Sequence, residues 1–266
     1  MMPRHPYLDG PRPRAYAHRG WHLGELAGCE NTLAAFTRAV DEGFSYLELD
    51  VHASADAVAM VHHDVLLDRT TDATGPLAAR TAAELGQVRV GEREPVPRLS
   101  DVLAALPDTR VTVELKTTAA IAPTLEVLGR LDAWHRVCLG GFTQAWLDAA
   151  RMAVGQRLCT SMAQRDVFAL RTRAWLDGLP QPLSRLPSLP LAGNVAQVPQ
   201  RFGAIRLVDA AMLRTAHAGG REVHVWTIDR PATMRRLLDL GVDGLLTDRP
   251  DLLRDVLRER GAWAQR

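Results

Sequence analysis

Two carboxylates stand two residues apart in the apolar segment YLELDVH, and their spacing could do chemistry. In a β-strand, Glu48 and Asp50 would project from the same face. Two buried carboxylates repel each other strongly, and a hard divalent cation bound between them relieves that repulsion. Pairing of one carboxylate with an arginine, or a solvated strand face, would relieve it equally well. The segment therefore predicts either a metal site or an ordinary polar strand face.

The segment VTVELKT repeats this geometry, with Glu114 and Lys116 two apart at the end of an apolar strand. Alone, this pair would be read as an ordinary ion pair. Together with Glu48 and Asp50, Glu114 makes a third carboxylate at a strand end. Such a cluster favours oxygen coordination of Mg²⁺ or Ca²⁺, and the absence of thiolate argues against zinc.

Two histidine-containing segments follow the first apolar strands. His18 ends AYAH, and HHD follows AVAMV, which we read as the second strand or a short extension of it. A pair of histidines at neighbouring strand ends can act as general acid and general base. Because adjacent side chains point in opposite directions, only one of His62 and His63 can face a common site. We choose His63, with Asp64 orienting it or the loop. We interpret six others as surface or core residues: His5, His22, His52, His135, His217 and His224.

Arg19 and Lys116, placed near a cation and two histidines, would form a pocket for a negatively charged tetrahedral group. A phosphate diester fits that description. Trp226 in HVWTID stands at a later strand end, where it either walls the substrate or belongs to the core. Asp248 in GLLTDRP is either a helix N-cap or a site residue.

The elements that must position these residues alternate between short β-rich segments and longer segments of helical period. The predicted strands are Arg14–His18, Tyr46–His52, Arg110–Leu115, Val137–Gly141, Leu158–Met162, Val195–Val198, Glu222–Thr227 and Gly244–Thr247. The predicted helices are Asn31–Glu42, Leu99–Leu106, Ala119–Ala133, Gln144–Ala153, Asp166–Trp175, Asp209–Ala218, Ala232–Leu240 and Asp251–Arg260. Eight such units predict a single (β/α)8 barrel, whose active face is formed by the strand carboxyl ends.

We expect residues 1–13 to be a lead-in and residues 14–266 to form the barrel. Residues of about 64–97 follow the second strand, contain TTDATGP and lack long helical periodicity, so we read them as a small insertion. The proline-rich segment 178–193 cannot be a helix interior, and we expect it to cross an end of the barrel as a loop.

Composition excludes several classes of protein. Of the 266 residues, 32 are Lys or Arg and 31 are Asp or Glu, so the net charge of +1 gives no electrostatic argument for binding nucleic acid or an anionic membrane. The first residues do not resemble a signal peptide, and no apolar run is long enough to cross a membrane, so we expect a cytoplasmic protein. The three widely spaced cysteines read as small apolar residues. Oligomeric state stays open.

Nine segments in series resemble the glycerophosphodiester phosphodiesterase family: AHRG, ENTLAAF, ELDV, HHDVLLDRTT-ATGP, VPRLSDVL, VELK, QVP, HVWTID and GVDGLLTDRPDLL. The resemblance runs nearly end to end. It implies a TIM barrel with a small insertion after the second strand. It also implies hydrolysis of glycerophosphodiesters to sn-glycerol 3-phosphate and an alcohol with a divalent cation, Mg²⁺ or Ca²⁺.

Carried over residue by residue, the resemblance implies two groups of catalytic side chains. His18 and His63 match the family's acid/base pair. Glu48, Asp50 and Glu114 match its metal ligands.

The resemblance also implies substrate-binding positions. Arg19 and Lys116 match phosphate-binding residues, Trp226 matches a substrate-side aromatic, and Asn31 of the ENT motif lies beside the site. Whether the glycerol 2-hydroxyl attacks first or water attacks directly is left open.

Two alternative functions share this fold. One is lysophospholipase D-type activity on lysophospholipids, which would need an apolar lip near the barrel mouth. The other is a barrel without catalytic activity that binds phosphorylated ligands; it predicts the loss of at least one essential group, and the sequence retains the whole set.

Overall fold

The computed structural model describes residues 5–177 and 191–263. Eight parallel strands form its central sheet: β1 (Arg14–His18), β2 (Tyr46–Ala53), β3 (Arg110–Leu115), β4 (Val137–Gly140), β5 (Cys159–Thr160), β6 (Val195–Pro199), β7 (Glu222–Trp226) and β8 (Gly244–Thr247). Their order is β5-β4-β3-β2-β1-β8-β7-β6. A parallel bridge between Ser161 and Val195 joins the two outer strands and closes the barrel. The predicted (β/α)8 architecture is confirmed.

A helix follows each strand in the described residues: α1 (Leu33–Asp41), α2 (Leu99–Ala105), α3 (Ile121–Arg130), α4 (Gln144–Val154), α5 (Gln164–Leu176), α6 (Ala210–Ala218), α7 (Pro231–Leu240) and α8 (Pro250–Glu259). Each turns an apolar stripe towards the sheet, as the helical spacing predicted. In α1, Ala35, Phe36 and Ala39 are fully buried. Thr32 caps this helix by accepting a hydrogen bond from the backbone N–H of Ala35.

The fifth strand is shorter than the sequence predicted. We expected Leu158–Met162, whereas only Cys159–Thr160 pair as a strand with β4. The neighbouring Ser161 contributes only the single bridge that closes the barrel. Regular pairing therefore stops where the sheet has to bend round to meet β6.

The chain folds back on itself after β2. The short strand Ala59–Val61 is antiparallel to β2, with Val51 opposite Val61. The predicted extension of the second strand is therefore a separate strand of opposite direction. This return places the backbone N–H of His62 3.0 Å from the carbonyl oxygen of Asp50, so the HHD motif lies back at the rim.

Beyond this strand, residues 62–98 contain a short helix, Ala82–Leu85, and two short paired strands, Arg89–Val90 and Glu94–Pro95. A small apolar cluster underlies them, in which Met60, Leu67 and other side chains are buried. The lead-in and insertion boundaries stay predictions. Of the proline-rich segment 178–193, residues 178–190 lie outside the described part of the chain.

Tyrosines and an ion pair fill the amino-terminal end of the barrel. Tyr7 is fully buried, and its hydroxyl lies 2.9 Å from that of Tyr16 and 2.8 Å from Thr112 Oγ1. Arg14 is also fully buried and donates from Nε and Nη2 to both carboxylate oxygens of Glu222, at 3.1 and 2.9 Å. This end is closed, so a ligand must enter from the other one.

Across the described ranges, no helix is both long and apolar enough to span a membrane. The cysteines Cys29, Cys138 and Cys159 are buried free thiols, as the sequence indicated.

Candidate active site

A cavity of about 250 Å³ opens at the carboxyl ends of the barrel strands. Charged side chains form one side of it and apolar side chains the other. The charged side carries seven residues singled out from the sequence: His18, Arg19, Glu48, Asp50, His63, Glu114 and Lys116. Strand register explains their convergence, because His18 lies opposite Glu48, and Asp50 lies opposite Glu114.

The three carboxylates of this side form one cluster. An oxygen of each of Glu48, Asp50 and Glu114 lies within 4.8 Å of the others, a spacing that could hold a metal ion. Glu48 and Asp50 are buried, with exposures of 3% and 1%. The ammonium of Lys116 lies 2.9 Å from Asp50 Oδ1 and also contacts Glu114. The cluster therefore already holds one cation, a protein side chain.

The raised pKa of Glu48 indicates that the carboxylate cluster would accommodate more positive charge. Burial, and then repulsion from Asp50, raise the pKa of Glu48 to about 8. Its Oε2 is buried and accepts no hydrogen bond within the described residues. By contrast, burial alone would raise the pKa of Asp50, but Lys116 and Arg19 lower it. A buried oxygen that accepts no hydrogen bond, beside two further carboxylates, is a donor set that suits a hard divalent cation.

An unusual backbone turn aims Arg19 at this cluster. Both Arg19 and Asn31 adopt left-handed backbone conformations, with φ of 57° and 59°. Residues other than glycine rarely adopt this conformation, and those that do often lie at functional sites. Backbone hydrogen bonds hold the turn, from Arg19 N to Glu48 O at 3.0 Å and from Asn31 N to Arg19 O at 2.9 Å. The guanidinium consequently reaches Asp50, with Nε 3.2 Å from Oδ2.

Asn31, for which the resemblance implied a place beside the substrate, is 1% exposed and does not line the cavity. Its Nδ2 donates to Asp50 Oδ2 at 2.8 Å, and its Oδ1 accepts from the Asp50 backbone N–H at 3.3 Å. The structure thus places Asn31 behind Asp50, where it fixes the orientation of that carboxylate.

His18 is held between two carboxylates. Its Nδ1 lies 2.6 Å from Asp248 Oδ1, and its Nε2 lies 3.6 Å from Glu48 Oε2. Burial alone would lower the pKa of His18, but the charges of Glu48 and Asp248 outweigh burial and raise it to about 9. A second imidazole, His22 Nε2, contacts the same Asp248 oxygen at 3.3 Å. Asp248 therefore fixes the ring of His18 and leaves Nε2 facing the cavity.

His63 has an equivalent partner on the opposite side. Its Nδ1 lies 2.5 Å from Asp64 Oδ1, and its side chain lines the cavity. His62 instead points away, with Nε2 3.3 Å from the carbonyl oxygen of Leu66. Of the two adjacent histidines, the one chosen from the sequence is the one that faces the cavity. Each cavity histidine is thus paired with an aspartate.

A chain of ion pairs connects the two halves of the charged side. Arg69 contacts both Asp64 and Glu30, with Nη2 2.8 Å from Glu30 Oε1, and Arg19 Nη1 lies 2.9 Å from the same oxygen. Burial alone would raise the pKa of Glu30, but the hydrogen bond from Arg69 and the charge of Arg19 lower it to about 2. Sequence reasoning missed Arg69 and left Asp248 undecided; the only signal was their place in DRTT and TDRP.

The other side of the cavity is apolar and aromatic. Trp226, partly exposed, packs edge-to-face on Phe142, with ring centroids 5.9 Å apart. Phe168 and Phe202 form a second such pair at 5.3 Å. All four line the cavity. Of the two alternatives for Trp226, a wall of the substrate site or a core residue, its position therefore favours the first. No sequence pattern indicated the three phenylalanines, because they are distant from one another in the chain. Phe142 follows β4, Phe168 lies within α5, and Phe202 follows β6.

The arrangement suits a monoanionic tetrahedral group with one apolar or neutral substituent. Among the five residues around the cluster, three carboxylates face two permanent cations, Arg19 and Lys116. A bound divalent ion would make the net charge of this set positive and thus complementary to a phosphate diester.

Comparisons with known proteins relate most of the chain to one protein family. The model of the glycerophosphoryl diester phosphodiesterase family matches residues 17–252. A Mycobacterium tuberculosis protein named "Probable glycerophosphodiester phosphodiesterase 2" is 37% identical over 251 residues, covering 94% of this chain and 92% of its own.

Two solved structures have the same fold. A glycerophosphodiester phosphodiesterase of Agrobacterium tumefaciens superposes with a TM-score of 0.71 at 24% identity, covering 92% of this chain and 99% of its own. An Oleispira antarctica phosphodiesterase, solved with the product sn-glycerol-3-phosphate, superposes with a TM-score of 0.71 at 23% identity, covering 93% and 97%.

Proposed function

Since the chain belongs to the glycerophosphoryl diester phosphodiesterase family, we propose that it hydrolyses glycerophosphodiesters to sn-glycerol 3-phosphate and an alcohol. It is a phosphoric diester hydrolase. The observation that supports this most is the pairing of two cavity histidines, each with its own aspartate, across a cluster of three carboxylates.

Arg19 and Lys116 bind the phosphate in this mechanism. Both side chains line the cavity beside the carboxylate cluster, and each can donate to an equatorial phosphate oxygen. Glu48, Asp50 and Glu114 would hold a divalent ion, Mg²⁺ or Ca²⁺. That ion, when bound, would act as a Lewis acid and neutralise charge on the phosphate.

His18 and His63 carry out the two proton transfers. Their Nδ1 atoms are engaged by Asp248 and Asp64, so Nε2 of each ring is the atom available to the substrate. One imidazole removes a proton from the attacking oxygen, of water or of the glycerol 2-hydroxyl, as a new bond to phosphorus forms. The other protonates the alkoxide as its bond to phosphorus breaks. Attack by water gives sn-glycerol 3-phosphate directly, whereas attack by the 2-hydroxyl gives a cyclic phosphate that a second attack, by water, opens to the same product.

Hydrolysis of glycerophosphocholine tests this assignment. We expect the purified protein to release choline and sn-glycerol 3-phosphate, and His18→Ala and His63→Ala each to lower kcat about 10²–10⁴-fold. His135→Ala is the matched control, because His135 is exposed, lies outside the cavity, and its side chain hydrogen-bonds to the carbonyl of Asp132. Wild-type rates in both active-site variants would refute the proposed acid/base pair.

Titration calorimetry with Mg²⁺, Ca²⁺ and Mn²⁺ on EDTA-treated protein tests the metal site apart from activity. We expect one binding site per chain, lost in Glu48→Gln and Glu114→Gln, and a Tm that rises with the ion that binds best. Glu126→Gln, on the outer helix α3, is the control. Equal binding by wild type and both variants would place the metal elsewhere.

Lysophospholipids are a second candidate substrate class, favoured by the aromatic side of the cavity. An acyl chain could contact Phe142, Phe168 and Phe202, which line the cavity opposite the charged side. Choline release from glycerophosphocholine and from lysophosphatidylcholine separates the two classes. A higher kcat/KM for the acylated compound, lowered in Phe142→Ser, would assign the lysophospholipid.

A further inference from the structure

The chain forms an exposed two-stranded hairpin at the mouth of the cavity, directly after β6. Arg201 pairs with Arg206, and Phe202 pairs with Ile205, in antiparallel register. All six residues of the hairpin, 201–206, are exposed. Side chains directly opposite each other in an antiparallel pair share a face, and successive side chains alternate between faces. The hairpin therefore carries an apolar face and a basic face.

The apolar face is unusually open to water. Phe202 is 50% exposed and Ile205 is 37% exposed. Phe202 packs edge-to-face on Phe168 of α5, which is itself 37% exposed, and both phenylalanines also line the cavity. An exposed apolar patch that continues into a ligand cavity indicates an interaction surface.

Positive charge lies on the other face of the hairpin and beside it on α5. Within residues 5–177 and 191–263, neither Arg201 nor Arg206 pairs with a carboxylate, and the Arg201 guanidinium donates only to the carbonyl of Ala204, at 2.8 Å. Arg165, one turn before Phe168 on α5, has a side chain that is 62% exposed, and its Nη2 lies 3.9 Å from the buried Asp166 Oδ1. A thin element with an apolar face and a basic face complements an anionic lipid surface, because the apolar side chains enter the interface while the long arginine side chains reach the headgroups.

We propose that this rim patch docks the mouth of the barrel onto an anionic lipid surface. The rim patch consists of Arg165, Phe168, Arg201, Phe202, Ile205 and Arg206. Phe202 and Ile205 enter the interface, and the arginines contact lipid phosphates. The proposal goes beyond the hydrolytic function, because docking requires neither the metal nor the catalytic histidines. It places the cavity opening against the lipid layer.

Co-sedimentation with large unilamellar vesicles tests the proposal, using phosphatidylcholine alone and phosphatidylcholine mixed with phosphatidylglycerol. We expect binding to the mixed vesicles that weakens as salt is added. The double variant Phe202→Ser/Ile205→Ser should bind at least about tenfold more weakly. Arg201→Gln and Arg206→Gln should each weaken binding about fivefold.

Two controls keep the outcome unambiguous. Met152→Ser removes an apolar side chain that is 88% exposed but lies near the carboxyl end of α4, at the opposite end of the barrel, and should bind like wild type. His63→Ala should also bind like wild type, which separates failure of docking from failure of hydrolysis. Unchanged Tm values will show that the hairpin variants are folded.

Wild-type protein that does not bind the mixed vesicles would overturn the proposal. So would hairpin variants of normal Tm that bind as well as wild type. Light scattering provides a further test: a dimer that dissociates in the Phe202→Ser/Ile205→Ser variant, without vesicle binding, would assign the rim patch to a second copy of the chain.

Discussion

At the scale of single residues, the histidines depend on partners that are remote in sequence. His18 Nδ1 lies 2.6 Å from Asp248 Oδ1, 230 positions later in the chain. A carboxylate in this position selects the tautomer and stabilises the protonated imidazole. Asp248 is thus a positioning residue in the proposed mechanism, because it acts through His18.

Replacing Asp248 with asparagine should lower kcat about 10²-fold with little change in KM, because the ring of His18 would lose its carboxylate while keeping its place. The pH–rate profile should shift as well, since the Asp248 charge is one of the influences that raise the pKa of His18. Steady-state kinetics on glycerophosphocholine check this. Asp251→Asn is the control, because the Asp251 carboxylate pairs with Arg249 and does not line the cavity. A higher KM with unchanged kcat would argue that Asp248 binds substrate instead.

Arg19 should be sensitive to a change of shape at constant charge. Its guanidinium reaches Glu30 and Asp50 together, which a single ammonium group cannot do in the same geometry. We expect Arg19→Lys to lower kcat/KM about 10–10²-fold, with circular dichroism unchanged. Arg38→Lys, on the exposed face of α1, should retain the wild-type value. If Arg19→Lys and Arg38→Lys had the same kcat/KM, the fork shape of the Arg19 guanidinium would not matter for catalysis.

At the scale of elements, the turn after β1 depends on a close approach to α1. Gly20 has φ of +88°, and a Cβ built on it would lie 2.8 Å from the Ala35 backbone carbonyl carbon and from its Cβ. Any side chain here must push α1 away from the barrel, and the turn that aims Arg19 would move with it.

Gly20→Ala should therefore destabilise the protein by about 3 kcal/mol, since steric overlap adds to backbone strain. Gly241→Ala is the control because its φ is +94° but its Cβ would meet nothing within 4 Å, so strain alone should cost about 1–2 kcal/mol. Urea unfolding measures both. If the two variants are equally stable, packing against α1 contributes nothing at this turn.

At the scale of the whole molecule, the closed end of the barrel depends on a buried ion pair. Burial alone would raise the pKa of Glu222, but hydrogen bonds from His224 and Arg14 hold it well below its ordinary value. A carboxyl whose pKa is lower in the folded state stabilises that state above its unfolded pKa of about 4.3. This stabilisation is lost as pH falls from there towards the folded pKa.

Glu222→Gln should thus cost about 3 kcal/mol at neutral pH, because Arg14 would remain buried without its charge partner. The difference in unfolding free energy between wild type and variant should shrink as pH falls below about 4. Urea unfolding at several pH values measures it. Glu259→Gln, whose exposed carboxylate pairs with Arg235, should show almost no difference at any of them. A pH-independent difference would rule out the charge as the source of stability.

The sequence by itself determined the barrel and one side of its cavity. Alternating β and helical periods specify eight βα units, and a parallel barrel brings all strand carboxyl ends to one rim, so Glu48, Asp50 and Glu114 could be placed together. The alternation of adjacent side chains also predicted that only one of His62 and His63 faces the cavity, although it did not say which. These inferences succeeded because they rest on local periodicity and on a general rule of strand direction.

Only the tertiary structure decided which distant side chains meet. It paired His18 with Asp248, placed Asn31 behind Asp50, and reversed the chain after β2 so that His63 returns to the rim. It also assembled aromatic residues from separate connections into the apolar side of the cavity. Such contacts depend on loop conformations and strand register, and neither is encoded by the period of a single segment.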